Sequence, residues 1–379
     1  MDVNMKILHT SDLHLGIHLY MLNMVFEQKK LIDILCNAVK KTNAKCLIIA
    51  GDIFDSSVAS AEAVNLWSEI VTALCLNMKI SVIVCAGNHD SSSRLASCNE
   101  LLKATGLFIT GQLEYDIKPV NIGNTSIYTV PFFNLADAQR VYKCNVKTIA
   151  EAMKIILDKI RLEMDTTKCN ILVSHCFVTG AQASESDMAA RTSISVGGID
   201  NIPANIFEGF DYIALGHIHK AQTILNNIRY CGTPNAYSFS EAMQNKSLSV
   251  FDTNDKTITE LPILPMFKLR TLTDTYENLS AYAKTDKNRD DYMKIEITDR
   301  NISLLTHAKF KELYPNILNF SSTLAANSSG ANVSAKEIAS SDMVSLFKTY
   351  YSVNHDNNEP DDEIIEWFKE ALEMIENNE

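Results

Sequence analysis

The sequence predicts an α/β protein built on a largely parallel sheet whose faces are covered. Two patterns in the first half carry this expectation: short runs rich in Val and Ile, and amphipathic stretches of helical period between them. A third is that five apolar runs end in polar residues, as strands do where an open α/β sheet gathers ligands at its carboxyl edge.

In order along the chain, residues 6–10 read as a strand. Residues 26–41 read as a helix, with Leu31, Leu35, Ala38 and Val39 at helical spacing. Residues 45–50 have a buried-strand pattern, 61–77 a helical one, and 80–86 are again strand-like. Further strands are expected at 126–130, 170–174, 211–215, 228–231 and 248–251, with a long helical insertion between Leu135 and Met164. From about Lys268 the texture changes. Residues 291–298 read as strand, 303–313 as helix and 315–320 as strand, which fits a small separate α/β domain. Residues 321–333, rich in Ser, Ala, Asn and Gly, read as a linker. Helices are expected at 340–351 and 361–377; the second carries Ile364, Ile365, Phe368, Leu372 and Ile375 on one stripe.

The chain has 379 residues, 46% hydrophobic and 21% charged, a balance that argues against collagen-like, mucin-like or wholly disordered proteins. No apolar run approaches the ~20 residues of a membrane span. Residues 1–6 lack the basic start and apolar core of a signal peptide, so the expected compartment is the cytoplasm. The nine cysteines include no C-x-x-C pair, and reduced structural residues are expected. The net charge of −12 is uneven: Asp356 to Glu379 carries −9 and the remainder only −3. That argues against a nonspecific nucleic-acid coat, which would be basic, but not against an enzyme whose acidic pocket holds cations.

The five polar ends are Ser11-Asp12-Leu13-His14, Gly51-Asp52-Ile53-Phe54-Asp55, Gly87-Asn88-His89-Asp90, Ser174-His175 and Gly216-His217-Ile218-His219. Asp12 and His14, like His217 and His219, stand two apart, and in extended backbone such a pair projects to one side. The set offers two carboxylates (Asp12, Asp52), one amide oxygen (Asn88) and four imidazoles (His14, His175, His217, His219). Seven ligands are too many for a single open catalytic ion and suit two. Two cations ~3.5–4 Å apart, bridged by a carboxylate, acidify a shared water and clamp both oxygens of an in-line phosphoryl displacement. Mixed N/O donors without thiolate favour Mn, Fe or Zn over Mg or Ca. The expected chemistry is phosphoester hydrolysis. Each segment alone is commonly a turn; the weight lies in five of them, in this order, at strand ends. His9, His18, His307 and His355 sit in no such motif and are expected to be structural or solvent-facing.

These motifs resemble those of the calcineurin-like metallophosphoesterases: D-x-H, G-D-x-x-D, G-N-H-[DE], H and G-H-x-H. More narrowly, the chain is similar to the SbcD family of DNA exonuclease subunits, relatives of the Mre-type repair nucleases. The narrower match rests on residues 6–16, 87–95 and 209–222, on Tyr230-Cys231-Gly232-Thr233-Pro234 with Phe239, Glu241 and Lys246, and on Tyr314-Pro315-Asn316. The resemblance covers essentially the whole chain. It implies a β-sandwich nuclease domain flanked by helices at 1–267, a small α/β capping domain at 268–325, and a linker with C-terminal helices at 326–379.

Carried over residue by residue, the resemblance assigns Asp12, His14, Asp52 and His219 to one metal. Asp52, Asn88, His175 and His217 go to the other, with Asp52 as the bridge. His89 would face the scissile phosphate, and Asp90 would orient His89. Asp55 stands where some Mre-type relatives have a histidine, and the family pattern around 184–187 is only loosely kept. Arg94 is expected to tie the Asn88 loop to a helix, and Tyr237, Phe239 and Trp67 to pack in the interior.

The resemblance further implies two divalent ions, manganese first among them, and 3′→5′ exonuclease action on duplex DNA ends. Endonuclease action on single strands or hairpins, in DNA replication, recombination and repair, goes with it. The C-terminal helices would dock on an SbcC-type ABC ATPase, which would hydrolyse the ATP, because no G-x-x-x-x-G-K-[ST] loop occurs here. A homodimer, with no membrane contact, is implied too. Two rivals remain. One is a phosphodiesterase or protein phosphatase for small substrates on the same fold, although such phosphatases read G-D-x-x-D-R-G and G-N-H-E. The other is a noncatalytic DNA-end-bridging scaffold, against which the full ligand set with His89 speaks.

Overall fold

A computed structural model of the chain describes residues 5–182, 201–299 and 304–323, together with 344, 347, 348, 351, 360, 361 and 364–369. Two six-stranded sheets pack face to face. The first has the order Ile258–Pro262, Ser247–Asp252, Lys6–Thr10, Cys46–Ala50, Ser81–Cys85, Leu107–Thr110. Its last four strands are parallel, and Ser247–Asp252 pairs antiparallel with both Lys6–Thr10 and Ile258–Pro262. The second runs Gln222–Leu225, Ile228–Tyr230, Tyr212–Gly216, Cys169–His175, Thr125–Val130, Val120–Ile122. Its four inner strands are parallel and its two edge strands antiparallel.

The parallel strands are apolar because they are buried on both sides. Ile7, Ile48 and Ile83 of the first sheet meet Ile127, Ile171, Val173 and Ala214 of the second in one cluster. Tyr212 stacks on Phe251 there, ring centroids 4.6 Å apart. The outer face of the second sheet lies under the helix Ile149–Glu163, whose Met153, Ile156, Leu157 and Ile160 recur every three or four residues and join Leu172, Ile213 and Leu215. Each such side chain contributes about 1.5–3 kcal/mol by leaving water. Thr148 starts this helix, its side chain accepting from the Glu151 N–H at 3.1 Å. The helix Lys30–Thr42 packs on the strand Lys6–Thr10 of the first sheet and buries Leu31, Leu35, Ala38 and Val39.

The insertion between Leu135 and Met164 is two helices, Leu135–Tyr142 and Ile149–Glu163, the first opened by an Asn134/Asp137 capping box. The stretch 61–77 is α-helical to Val71 and widens to a π-helix over Thr72–Asn77. The strands Leu107–Thr110, Val120–Ile122, Gln222–Leu225 and Ile258–Pro262, all at sheet edges, are additions to the sequence reading.

The chain divides into two compact units, Met1–Thr271 with Asp290–Lys294, and Leu272–Arg289 with Ile295–Glu379. The smaller unit contains the helices Tyr276–Ala283 and Leu304–Leu313 and the strand Ile317–Ser322. Phe310 and Tyr314 are fully buried in it, and the Tyr314 hydroxyl donates to Asp286 at 3.2 Å. The linker expected at 321–333 lies, beyond Thr323, outside the described residues, as do Leu372 and Ile375 and much of both C-terminal helices. Among the described positions there, Ile364–Lys369 is helical and Phe347 stacks on Phe368 at 4.1 Å, while Trp367 is exposed. All nine cysteines are free. Among the described residues no helix is long and apolar enough to cross a membrane.

Candidate functional site

The carboxyl ends of Lys6–Thr10, Cys46–Ala50 and Ser81–Cys85 in one sheet meet those of Cys169–His175 and Tyr212–Gly216 in the other. The backbone there is not extended. Asp12 (φ 53°), His14 (φ 43°), Asp52 (φ 49°) and His217 (φ 95°) are all left-handed. Convergence of Asp12 with His14 therefore comes from a kinked loop, and the strand alternation expected from their spacing does not apply. Each such non-glycine residue costs about 1–3 kcal/mol and persists only where its surroundings impose it. Here the loops brace each other: Asp12 N–H donates to Gly51 O and His14 N–H to Asp52 O, both at 3.0 Å. Gln28 donates to the carbonyls of Leu13 (3.2 Å) and His14 (2.9 Å), and the Tyr237 hydroxyl donates to Leu13 O at 2.7 Å. Gly51 (φ 90°) and Gly87 allow the close approach, since a Cβ would lie 2.1 Å from His175 Nδ1 at the first and 2.1 Å from Asp52 Oδ1 at the second.

Asp52 stands between two groups of donors. On one side, single donor atoms of Asp12, His14 and His219 lie within 4.8 Å of one another. On the other, His175 Nε2 is 3.3 Å from Asp52 Oδ2 and 3.0 Å from Asn88 Oδ1, and His217 Nδ1 is 3.0 Å from the same Asn88 oxygen. Donor atoms of Asp12, Asp52 and His175 also fall within 4.8 Å of each other, and His14 Nε2 is 3.8 Å from Asp52 Oδ2. The structure thus brings all seven expected ligands together.

The electrostatics fit a cation. Burial works against a charged His14, yet the carboxylates of Asp55, Asp52 and Asp12 outweigh it and raise its pKa to about 9. His175 is likewise raised to about 9, the charge and hydrogen bond of Asp52 prevailing over burial. Burial pushes the Asp52 carboxyl up, but His175 and His14 hold it well below the ordinary range. Asp12 is raised, first by burial and further by Asp52. Acidic side chains that hold protons on neighbouring imidazoles are ready to exchange them for metal. His14 Nε2 is moreover buried without a hydrogen-bond partner, which a coordinated ion would remedy. Nitrogen and oxygen donors without thiolate suit Mn, Fe or Zn.

His89 sits at the rim, half-buried, its ring edge-on to His14 with centroids 4.9 Å apart. Its main-chain N–H donates to Asp52 Oδ1 at 2.9 Å, and its Nδ1 donates to the Asp55 main-chain oxygen at 2.8 Å. The pairing expected between Asp90 and His89 is absent. Asp90 instead accepts from the main-chain N–H groups of Gly87 (2.9 Å), Ile53 (3.2 Å) and Phe54 (3.0 Å), pinning the Asn88 loop to the Asp52 loop. Asp55 places Oδ1 3.3 Å from His14 Nδ1. Arg94, in the short helix Ser92–Leu95, donates to the Ser57 carbonyl at 2.9 Å, a structural contact made to the segment after Asp55 and not to the Asn88 loop. Tyr237 is buried, and Phe239 lies against Tyr20 at 5.6 Å. His9 is buried against Tyr212, and His18 is exposed. His355 and the loop 184–187 lie outside the described residues. The sequence gives no signal for the role of Gln28, which ends the short helix Val25–Gln28 and reaches the Asp12–His14 loop only in the fold.

Fold and donor set together define a metal-dependent phosphodiester hydrolase, and residues 5–221 match the calcineurin-like phosphoesterase family. The chain is 30% identical over 354 residues to the SbcD subunit of the SbcCD nuclease of Staphylococcus epidermidis, covering 92% of each chain. It is also 30% identical over 318 residues to that of Staphylococcus saprophyticus, covering 83% of this chain and 84% of the other. Among solved structures, a dimetal phosphatase from Danio rerio aligns with a TM-score of 0.39 and 12% identity over 65% of this chain and 91% of that one. The chain belongs to the calcineurin-like phosphoesterases and, within them, to the SbcD family.

Proposed function

We propose that the protein hydrolyses DNA phosphodiesters with two divalent ions, manganese the working metal, as the nuclease component of an SbcCD-type complex. The observation that carries this reading is Asp52 between two donor groups, Asp12/His14/His219 and Asn88/His175/His217. Each group would hold one ion, with Asp52 shared. When bound, the ions supply an activated water and neutralise charge on the phosphate. With Nδ1 committed to Asp55 O, His89 presents its other ring nitrogen to the phosphate, to stabilise developing charge or protonate the leaving 3′ oxygen. Asp90 acts on the loop rather than on the imidazole.

The names of the staphylococcal relatives support a nuclease and an SbcC-type partner. Exonuclease action from 3′ ends of duplexes, endonuclease action on hairpins, and roles in DNA replication, recombination and repair follow from the family resemblance. So do a homodimer, a cap at 268–325, C-terminal helices docked on the ATPase, and a cytoplasmic site of action. The test is hydrolysis of bis-p-nitrophenyl phosphate with manganese, then of labelled linear duplex mixed with the ATPase, with and without residues 334–379. The proposal expects both activities, the second lost on truncation. Diester hydrolysis without DNA degradation in the complex would favour a small-substrate enzyme, and absence of both a scaffold.

A further inference from the structure

The single helical turn Phe239–Glu241 brings a fully buried carboxylate against His219: Glu241 Oε1 accepts from His219 Nδ1 at 3.1 Å. The other oxygen, Oε2, accepts from Lys246 Nζ at 2.9 Å, and that lysine side chain is itself only 4% exposed. Lys246 also donates to the Thr233 hydroxyl (2.7 Å) and to the main-chain oxygen of His219 (3.1 Å). The Thr233 N–H donates to that same oxygen at 3.1 Å. Ring and backbone of His219 are thus gripped by one cluster.

Burying a carboxylate and an ammonium together is costly, and apolar residues of the same size are often as stable. A carboxylate on one imidazole nitrogen does two things an apolar residue cannot. It fixes the proton on that nitrogen, and it makes the opposite nitrogen a better donor to metal. The other half of the site is held differently: His175 Nδ1 donates to a main-chain carbonyl, Ala50 O, at 2.8 Å. We infer that Glu241, locked by Lys246, is a positioning residue that holds His219 for the ion shared with Asp12 and His14, and that the ion beside His175 does not depend on it. The inference rests on the two-ion reading above.

The test uses the full chain, stripped of metal and titrated with manganese, read by calorimetry and by the electron paramagnetic resonance of the bound ions. The parent is expected to bind two ions. Glu241→Gln, which keeps the shape, should weaken one of them about 10–100-fold and leave the other unchanged. The double variant Glu241→Gln/Lys246→Met, which leaves no unpaired buried charge, should lose the same ion while remaining folded. Two ions bound with parental affinity by both variants would overturn the inference alone, as would equal weakening of both ions. A parent that binds no pair of ions would overturn the two-ion reading itself.

Discussion

His89 Nδ1 lies 2.8 Å from the main-chain oxygen of Asp55, so its imidazole is anchored by the Asp52 loop and not by the carboxylate beside it in sequence. The anchor leaves one ring nitrogen for chemistry. Replacement by glutamine should lower turnover of a diester about 10²–10⁴-fold with manganese binding unchanged. Parallel rate measurements and metal titrations check this; parental turnover would remove His89 from the mechanism.

Asp90 should behave as a structural residue. Asp90→Ala strands three buried N–H groups, those of Gly87, Ile53 and Phe54. A stability loss of about 3 kcal/mol is expected, because hydrogen bonds to a charged group are worth about 1.5–3 kcal/mol and do not simply add. Urea unfolding of the metal-free protein measures it. A variant as stable as the parent but catalytically impaired would restore the orienting role.

Gly51→Ala tests the close approach of the two sheets' loops. Its φ of 90° disfavours a side chain, and the new Cβ would collide with the His175 ring. The expected result is destabilisation of about 2–4 kcal/mol and loss of the ion assigned to His175. Unfolding and manganese titration together check it.

The legible parts of the fold were those whose surroundings are uniform. Cys46–Ala50 and Ser81–Cys85 face apolar neighbours on both sides, and their composition says so. The edge strands Gln222–Leu225 and Ile258–Pro262 mix half-buried with exposed residues, which a loop can also do. At the site, residue types at strand ends identified the donors. The reason they meet was not legible, because left-handed backbone at Asp12, His14 and Asp52 is imposed by tertiary contacts. Adjacency in sequence misdirected Asp90 toward His89, when buried N–H groups across the loop had the stronger claim. Glu241 and Lys246 lie 22 and 27 residues beyond His219, and only the fold closes those distances.

His9 makes the metal-free fold acid-sensitive. Burial first, then the Arg229 charge, lowers its pKa to about 3, against 6.5 for the ordinary imidazole. Between those values the unfolded chain binds a proton that the folded one does not. Its contribution is therefore complete above pH 6.5 and shrinks as pH falls toward 3, by up to about 1.4 kcal/mol per pH unit. His9→Gln should flatten the slope of stability between pH 4 and 6, as measured by urea midpoints; an unchanged slope would assign the sensitivity elsewhere.

Anomalous diffraction from crystals grown with manganese would locate the ions themselves. Two peaks should flank the Asp52 carboxylate, one bonded to Asp12, His14 and His219 and the other to Asn88, His175 and His217. A lone peak, or two that do not share Asp52, would contradict the two-ion reading.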